Sequence, residues 1–254
     1  MERNRMKTVT KSLGSKKILG AIAILGLILP GINAASSQAS TSQPQIDLGT
    51  SVNYVLLAHQ ALTNGASTII SGTGSRIVGI SPGISAVGTV SSFLASGASE
   101  FQNDTLPPTL AQADLLGAMA SIGGLTPTTV GANLSLANDD TIYPGVYTTP
   151  GGAAMSVDGN LILDAQGNTN AVFVFIAPTA FNTSAGVTVS LINGAQASNI
   201  YWLVGAGMTF GASTTIQGNF LVSADATVGA SSVVTGRILG RGAITLGASV
   251  NMIA

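Results

Sequence analysis

The sequence contains no cysteine, a single histidine and very little charge, and these gaps exclude most kinds of chemical site. Without cysteine there is no disulfide framework, no thiol nucleophile and no zinc–cysteine site. His59 follows a predicted strand and is interpreted as a surface or turn residue, so we expect neither a metal nor a cofactor. Charged residues make up only 7% of the chain and aromatic residues 5%, whereas glycine occurs 32 times. This composition is unlike that of an ordinary mixed globular domain.

The N-terminus has the order of an export signal. Six of the nine basic residues lie within the first 17 positions, an uncharged apolar run covers 18–32, and small residues follow at Ala34 and Ala35. This order predicts a secretory signal peptide over 1–34, because the apolar run is shorter than the roughly twenty residues of a spanning helix. An uncleaved N-terminal anchor is the alternative. We expect 35–45 to be a polar linker and the mature protein to be extracellular.

The remainder of the chain is acidic and has no lysine. Beyond the signal, nine acidic and three basic residues remain, which is a net charge of −6. Three arginines cannot neutralise a run of phosphates or hold the chain on an anionic membrane. We therefore expect no nucleic-acid partner, no membrane partner after signal cleavage, and a monomer.

A short repeat organises the C-terminal half. The tripeptide Gly-Ala-Ser recurs with a period of 18 residues, at 211–213, 229–231 and 247–249. On this period Thr209, Thr227 and Thr245 align between apolar residues, which indicates strands with one buried face. A period of 18 fits one turn of a three-sided β-solenoid. Further β-rich segments lie at 54–57, 68–70, 157–164, 171–176, 187–192 and 200–204.

The predicted fold is thus mainly β, a single solenoid domain over 46–254 with about 18 residues per coil. Alanine and leucine predict one long α-helix over 108–122, packed along a flank of the solenoid. Its expected inner face is formed by Leu115, Leu116, Met119 and Ile122. Residues 73–106 are rich in glycine and serine and predict an irregular cap over exposed strand edges at one end.

Several segments carry motifs that occur together in one known family. They lie at 48–58 (LGTSVNYVLLA), 80–83 (ISPG), 143–147 (YPGVY), 161–167 (LILDAQG), 171–175 (AVFVF), 193–202 (NGAQASNIYW) and 234–239 (VTGRIL). With these motifs in matching order, the chain resembles the β-solenoid ice-binding proteins secreted by cold-adapted microbes. The resemblance implies a discontinuous right-handed solenoid in which the N-terminal strands pack beside the C-terminal coil. It also implies that the partner is an ice crystal surface, bound through one flat face without catalysis.

A flat β face suits such a partner physically. Stacked strands lie about 4.7–4.9 Å apart, close to a repeat distance of ice, so one small side chain per strand forms a regular grid. Threonine fits this grid because its side chain is stiff, its methyl is apolar and its hydroxyl can order water. The candidate ice-binding ladders are Thr209, Thr227 and Thr245; Ser213, Ser231 and Ser249; and Thr215, Val233 and Asn251, with Gln217 and Thr235 beside the last. The sequence favours neither the side of the first ladder nor the neighbouring side.

One departure from the family pattern affects the expected strength of binding. The family often carries a Thr-small-x-Thr/Asn motif on its ice face. At the matching positions this chain has Ala212, Ala230 and Ala248 in place of the leading threonine. We therefore expect modest thermal hysteresis or inhibition of ice recrystallisation.

Other functions fit the sequence less well. Solenoid enzymes that cleave acidic polysaccharides need clustered carboxylates and a basic residue, whereas the acidic residues here are scattered, so we expect no catalytic residues. Asp139 and Asp140 form the only adjacent acidic pair and are interpreted as a solvated turn rather than a calcium site. An extracellular structural or adhesive module remains the alternative to ice binding, and a rough, non-repeating surface would favour it.

Overall fold

The structure, a computed structural model, describes residues 43–82, 85–87, 90–103, 106–131, 134 and 140–254. The predicted signal peptide, most of the predicted linker and Asp139 lie outside these residues.

The described residues form mainly short strands, as the alternation of apolar and small polar residues predicts. The N-terminal strands are β1 (Tyr54–Ala58), β2 (Ala61–Thr63), β3 (Ile69–Ser71), β4 (Ile77–Ile80), β5 (Ser85–Val87), β6 (Glu100–Asn103), β7 (Thr128–Thr129), β8 (Asp140–Ile142) and β9 (Gly145–Thr148). The C-terminal strands are β10 (Met155–Val157), β11 (Leu161–Asp164), β12 (Phe173–Ala177), β13 (Phe181–Thr183), β14 (Val189–Ile192), β15 (Ile200–Val204), β16 (Met208–Phe210), β17 (Thr215–Val222), β18 (Ala226–Val228), β19 (Val233–Gly240), β20 (Ile244–Leu246) and β21 (Asn251–Ile253). The helices are α1 (Val90–Ala95) and α2 (Leu106–Gly123), with 3₁₀ turns at Gly49–Asn53, Pro150–Gly152 and Ala197–Asn199.

Within the described ranges these strands pair in parallel and form three sheets. The largest has the order β6-β4-β1-β19-β17-β15-β12-β9-β7, with β21 joining β19 to β3. A second sheet has the order β10-β13-β16-β18-β20-β2-β5, and a third has the order β14-β11-β8. The fold is therefore mainly β, as predicted.

The register shows where the 18-residue period holds. Thr209 pairs with Thr227 and Thr227 with Thr245, each 18 residues further on. Upstream the spacing is longer, because Ser156 pairs with Asn182 and Asn182 with Thr209, at 26 and 27 residues. The extra residues lie in the connections between strands, so the coil length changes while the strand register continues.

The N-terminal strands stack on the end of the C-terminal ones, as the family resemblance implies. β1 pairs with β19, β2 with β20 and β3 with β21. Another Gly-Ala-Ser, at 65–67, stands next to the one at 247–249, since Ser249 N–H donates to Ala66 O at 2.7 Å. The stack of strands is therefore discontinuous in sequence.

The scarce aromatic residues are concentrated in the interior between the sheets. Trp202 stacks on Phe175 at 4.1 Å and on Phe181 at 4.8 Å between ring centroids, and Phe220 lies 5.8 Å away. The indole N–H donates to Gln217 O at 3.0 Å, so its polar atom is satisfied inside the core. Phe175 and Trp202 are paired residues 27 positions apart, and Trp202 and Phe220 are paired residues 18 positions apart, so the stacked rings span the change in coil length.

Helix α2 covers the outer side of the largest sheet and begins two residues before the predicted start. Its buried residues are Pro108, Ala111, Gln112, Leu115, Ala118 and Ile122. Of these, the alanines, Leu115 and Ile122 form one apolar cluster with Leu57, Val174, Tyr201, Leu221 and Leu239 of the sheet. Leu116 is 47% exposed, so its predicted place on the inner face is wrong. The inner face follows the small alanines, which let the helix approach the sheet closely. Among the described helices, none combines the length and hydrophobicity needed to cross a membrane.

The middle of α2 is tied to the 3₁₀ turn at Gly49–Asn53. The Thr50 hydroxyl and N–H both donate to Asp114 Oδ2, at 2.6 and 2.7 Å. These hydrogen bonds hold the pKa of the Asp114 carboxyl below its usual value. Gln112 Nε2 donates to Gly240 O at 3.1 Å, which fixes the helix to the end of β19.

The segment 73–106 is more regular than the predicted irregular cap. In its described part, β4 pairs with β1, β6 pairs with β4, and β5 pairs with β2. Phe93 of α1 is fully buried and lies 5.5 Å from the Phe101 ring. The segment extends both larger sheets, because its few apolar residues suffice to pair and bury the next strand edges.

Close stacking of the coils predicts a stability effect at Gly229. A Cβ added there would lie 2.6 Å from Ala212 N, a backbone atom that cannot move aside. We expect Gly229→Ala to lower the free energy of unfolding by roughly 1–3 kcal/mol, measured by urea unfolding.

The matched control is Gly117→Ala in helix α2, where an added Cβ meets nothing within 4 Å. Alanine favours helix over glycine by about 1 kcal/mol, so this variant is expected to gain stability. Equal effects of the two substitutions would contradict the close approach of the coils at Gly229.

Candidate functional site

One face of the second sheet presents a single row of small polar side chains, one from each of six of its seven strands. The row is made of Ser156, Asn182, Thr209, Thr227, Thr245 and Thr63, in register from β10 to β2. Asn182, Thr209 and Thr227 are exposed and the other three are half-buried, whereas the neighbouring residues on β16, β18 and β20 are buried. We call the outer side of these strands the threonine face. Its side chains repeat at the strand spacing of about 4.8 Å.

The columns on either side of this row are almost free of large side chains. Side chains two positions apart point to the same side of an extended chain. Two positions before the row stand Ala154, Ala180, Gly207, Asp225, Ala243 and Ala61, and two positions after it stand Asp158, Ser184, Gly211, Gly229, Gly247 and Gly65. The row therefore stands on a flat floor of alanine and glycine in its central part. Carboxylates interrupt this floor at Asp158, near one end, and at Asp225, near the middle.

The glycine column explains why one flank stays flat. A Cβ at Gly65 would lie 2.3 Å from Gly247 O, and one at Gly211 would lie 2.5 Å from Ala185 N. Only glycine lets the backbones of neighbouring coils meet this closely. No side chain can rise beside the threonine row at these positions.

The predicted serine ladder lies at a corner and not on a strand. Ser213, Ser231 and Ser249 are exposed and have left-handed backbone angles, with φ of 59°, 61° and 59°. Each backbone N–H donates to the alanine carbonyl of the next coil, as from Ser213 to Ala230 O at 2.8 Å. The corner therefore carries an aligned Ala-Ser column that borders the threonine face, because the chain turns at these serines.

Buried hydroxyls hold this corner from the inside. Thr214 Oγ1 donates to Gly211 O at 2.9 Å, and Ser232 Oγ donates to the same carbonyl at 3.1 Å. Thr183 Oγ1 accepts from Gly211 N at 3.0 Å and lies 3.2 Å from Thr214 Oγ1. All three side chains are buried, so these bonds are protected from water and keep the edge of the threonine face in place.

The end of the row at β10 differs from its centre. Ser156 Oγ donates to Asp158 Oδ2 at 3.1 Å, and Ser184 Oγ donates to Asp158 Oδ1 at 3.0 Å. These hydroxyls are directed to a carboxylate and not to the surrounding water. The regular part of the row therefore runs from Asn182 to Thr63.

The third predicted ladder lies on a different side, which we call the mixed face. Its first row is Thr188, Thr215, Val233, Asn251 and Ile69, and its second is Gln217, Thr235, Ile253 and Ser71. Ile69 is 55% exposed, and Gln217 Nε2 donates to Val189 O at 3.0 Å. The side chains on this face differ in size and polarity from strand to strand, so they form no uniform grid.

Sequence reasoning found half of the row on the threonine face. It missed Thr63, although Thr63 precedes Gly65 of a Gly-Ala-Ser by two residues, as Thr209 precedes Gly211. This offset was a usable signal. No comparable signal identifies Ser156 and Asn182 in the sequence, because the longer coils place them off the 18-residue period.

His59 lies half-buried beside helix α2. Burial and the nearby positive charge of Arg241 lower its pKa, so the imidazole is neutral at pH 7. A shallow cavity of about 310 Å³ surrounds it, lined by Ser81, Pro82, Thr109, Gln112, Ala113, Leu116 and Arg241. No carboxylate belongs to this lining, and the described residues contain no cluster of three or more potential metal ligands. The surroundings give His59 no acidic group to orient it as a base.

Comparison with known proteins agrees with the geometry. Residues 56–251 match the family model described as ice-binding-like, which is more than half of the chain. The chain belongs to the ice-binding-like family. An ice-binding protein of Nostoc sp. (strain HG1) is 30% identical over 196 residues, covering 77% of this chain and 69% of that protein.

Solved structures of ice-binding proteins share the fold of this family member. A crystal structure of an ice-binding protein from an Antarctic biological consortium is 27% identical, with a TM-score of 0.73 over 84% of this chain and 93% of that one. The ice-binding protein of the Antarctic ascomycete Antarctomyces psychrotrophicus is 26% identical, with a TM-score of 0.69 over 82% of this chain and 97% of that one. The family relationship thus extends over nearly all of the described solenoid.

Proposed function

We propose that the protein binds ice through the threonine face, and that adsorption produces thermal hysteresis, inhibition of ice recrystallisation, or both. The observation that carries this proposal is the row of small polar side chains at strand spacing, set on a flat floor in a chain of the ice-binding-like family. Helix α2 covers one alternative side of the sheets. The side chains of the mixed face are mostly half-buried and vary in size and polarity, so the threonine face offers the more regular grid.

The proposed mechanism needs no chemical step and no cofactor. Each threonine supplies a methyl group and a hydroxyl at a position set by the strand register, and each contact with ice is weak. Many contacts act together because the closely stacked coils and buried corner hydroxyls hold the grid rigid before it meets ice, which limits the entropy lost on binding. Adsorbed molecules hold back the ice front, which curves between them, and the curvature lowers the local freezing point.

We further propose that residues 1–34 are a signal peptide, 35–45 a linker and 46–254 the ice-binding domain of a secreted monomer. The basic, apolar and small residues at the N-terminus support export. We also propose a right-handed, three-sided solenoid with about 18 residues per coil near its C-terminal end, supported by the register of β16, β18 and β20.

Thermal hysteresis and crystal shape, measured on residues 35–254, test the function. We expect faceted ice crystals and a gap between melting and freezing. Round crystals, no gap and no inhibition of recrystallisation from a folded sample would overturn ice binding. The protein would then be better described as an extracellular structural or adhesive module.

A further inference from the structure

One charged residue interrupts the otherwise small column beside the threonine row. In this column Asp225 stands where the other coils have Ala154, Ala180, Gly207, Ala243 and Ala61. Two backbone hydrogen bonds fix the alignment: Met208 N–H donates to Asp225 O, and Ala226 N–H donates to Ala243 O, at 2.9 and 2.8 Å. Asp225 is exposed and lies two positions from Thr227, in the regular part of the row.

The Asp225 side chain stabilises the contact between two neighbouring coils. Its Oδ1 accepts a hydrogen bond from Ala243 N–H at 2.8 Å, which ties this coil to the next at the bends that precede β18 and β20. A Cβ at Gly242 would lie 2.3 Å from the same oxygen, so the glycine makes room for the contact. An alanine at position 225 would leave this backbone N–H without its carboxylate partner.

The same carboxylate opposes adsorption to a crystal of neutral water. A charged group keeps a strongly held hydration shell, and removing or rearranging that shell costs free energy unless another charge compensates it. Ice offers no compensating cation, and the neighbouring side chains of the column are alanine and glycine. The cost falls midway along the stack of coils, in the column directly beside the threonine row, where the flat face must approach the ice closely.

We infer that Asp225 limits the ice affinity of this protein, and that its carboxylate is retained because it stabilises the contact between the two coils at the bends before β18 and β20. This inference rests on the proposed function of the threonine face. Asp225 would then stabilise the fold and weaken binding to ice at the same time.

The test compares Asp225→Asn with Asp225→Ala in the chain from residue 35 onward. Asparagine keeps the oxygen that accepts from Ala243 N–H and removes the charge, so thermal hysteresis is expected to rise on the order of twofold with an unchanged Tm. Alanine restores the small column but removes the acceptor, so hysteresis is expected to rise while Tm falls.

Asp47→Asn is the matched control. Asp47 is also exposed, and its Oδ1 also accepts a backbone N–H, that of Gly49 at 2.8 Å, but it lies beside Leu48 and Tyr201 near helix α2. We expect its hysteresis to equal that of the parent chain.

Three outcomes would overturn the inference. Hysteresis of Asp225→Asn at or below the parent value, in a parent that binds ice, would overturn the role of Asp225 alone. An equal rise in Asp47→Asn would show that net charge, and not the position on the face, sets the activity. Absence of ice shaping in both the parent and Asp225→Asn would overturn the proposed function together with this inference.

Discussion

Thr227→Tyr is expected to abolish most of the ice activity while leaving the fold intact. Thr227 is exposed and lies between Thr209 and Thr245 in the row. A phenol ring would project above the small alanine and glycine residues and keep the neighbouring threonines, Thr209 and Thr245, out of contact with ice. We expect thermal hysteresis to fall about tenfold or more, as for a loss of about 1.4 kcal/mol or more of adsorption free energy. Because the side chain points to solvent, stability should change by no more than about 0.5 kcal/mol.

Thr235→Tyr gives the matched comparison on the mixed face. Thr235 is half-buried and pairs with Gln217 and Ile253 on neighbouring strands. The same substitution there should leave the hysteresis close to that of the parent chain. If Thr235→Tyr removed the activity and Thr227→Tyr preserved it, the mixed face would be the ice-binding surface. Thermal unfolding followed by circular dichroism would verify that both variants are folded.

Trp202→Ala is expected to cause the largest loss of stability, about 3–5 kcal/mol. Trp202 is 1% exposed and joins two sides of the interior, since it belongs to β15 and stacks on Phe181 of β13. Alanine would leave a cavity between Phe175 and Phe181 and leave Gln217 O without the indole N–H. Because β13 also carries Asn182, this cavity would loosen the threonine face from below. Urea unfolding followed by circular dichroism measures the loss directly, without relying on the only tryptophan as a probe.

Leu116→Ala serves as the control for that experiment. Leu116 is a large apolar residue of helix α2, but it is 47% exposed. Its replacement should cost about 0.5 kcal/mol or less. A loss as large as that of Trp202→Ala would mean that Leu116 is buried against the sheet, contrary to its position in the structure.

The strand positions and register were predicted most accurately from the sequence in the part of the chain where the repeat is regular. The 18-residue period aligned Thr209, Thr227 and Thr245, and the structure pairs these residues in neighbouring strands. The segment 200–204 was predicted as β-rich, and β15 covers the same residues. In this part of the chain each coil has the same length, so sequence spacing and strand register carry the same information.

The helix shows where pattern alone was insufficient. Composition favoured a helix near 108–122, and the structure has one over Leu106–Gly123. The choice of its inner face was wrong at Leu116, because size and hydrophobicity suggested burial while the sheet surface accepted the narrower side of Ala111 and Ala118. The fit between two surfaces depends on both, and the sequence of the helix describes only one.

The sequence by itself determined the chemistry that this protein can use. The absence of cysteine and the scarcity of charge excluded most kinds of chemical site, and the 18-residue repeat predicted a solenoid. Binding through a flat face was implied by the resemblance to the ice-binding family. Only the tertiary structure decided which residues share that surface: Thr63 joins from the N-terminal strands, and Ser156 and Asn182 join across longer coils. It also decided which side is covered, since helix α2 occupies one face, and placed Asp225 inside the grid. The reason is physical, because composition and local period are properties of neighbouring residues, whereas a flat face is assembled by strand pairing between residues far apart in the chain.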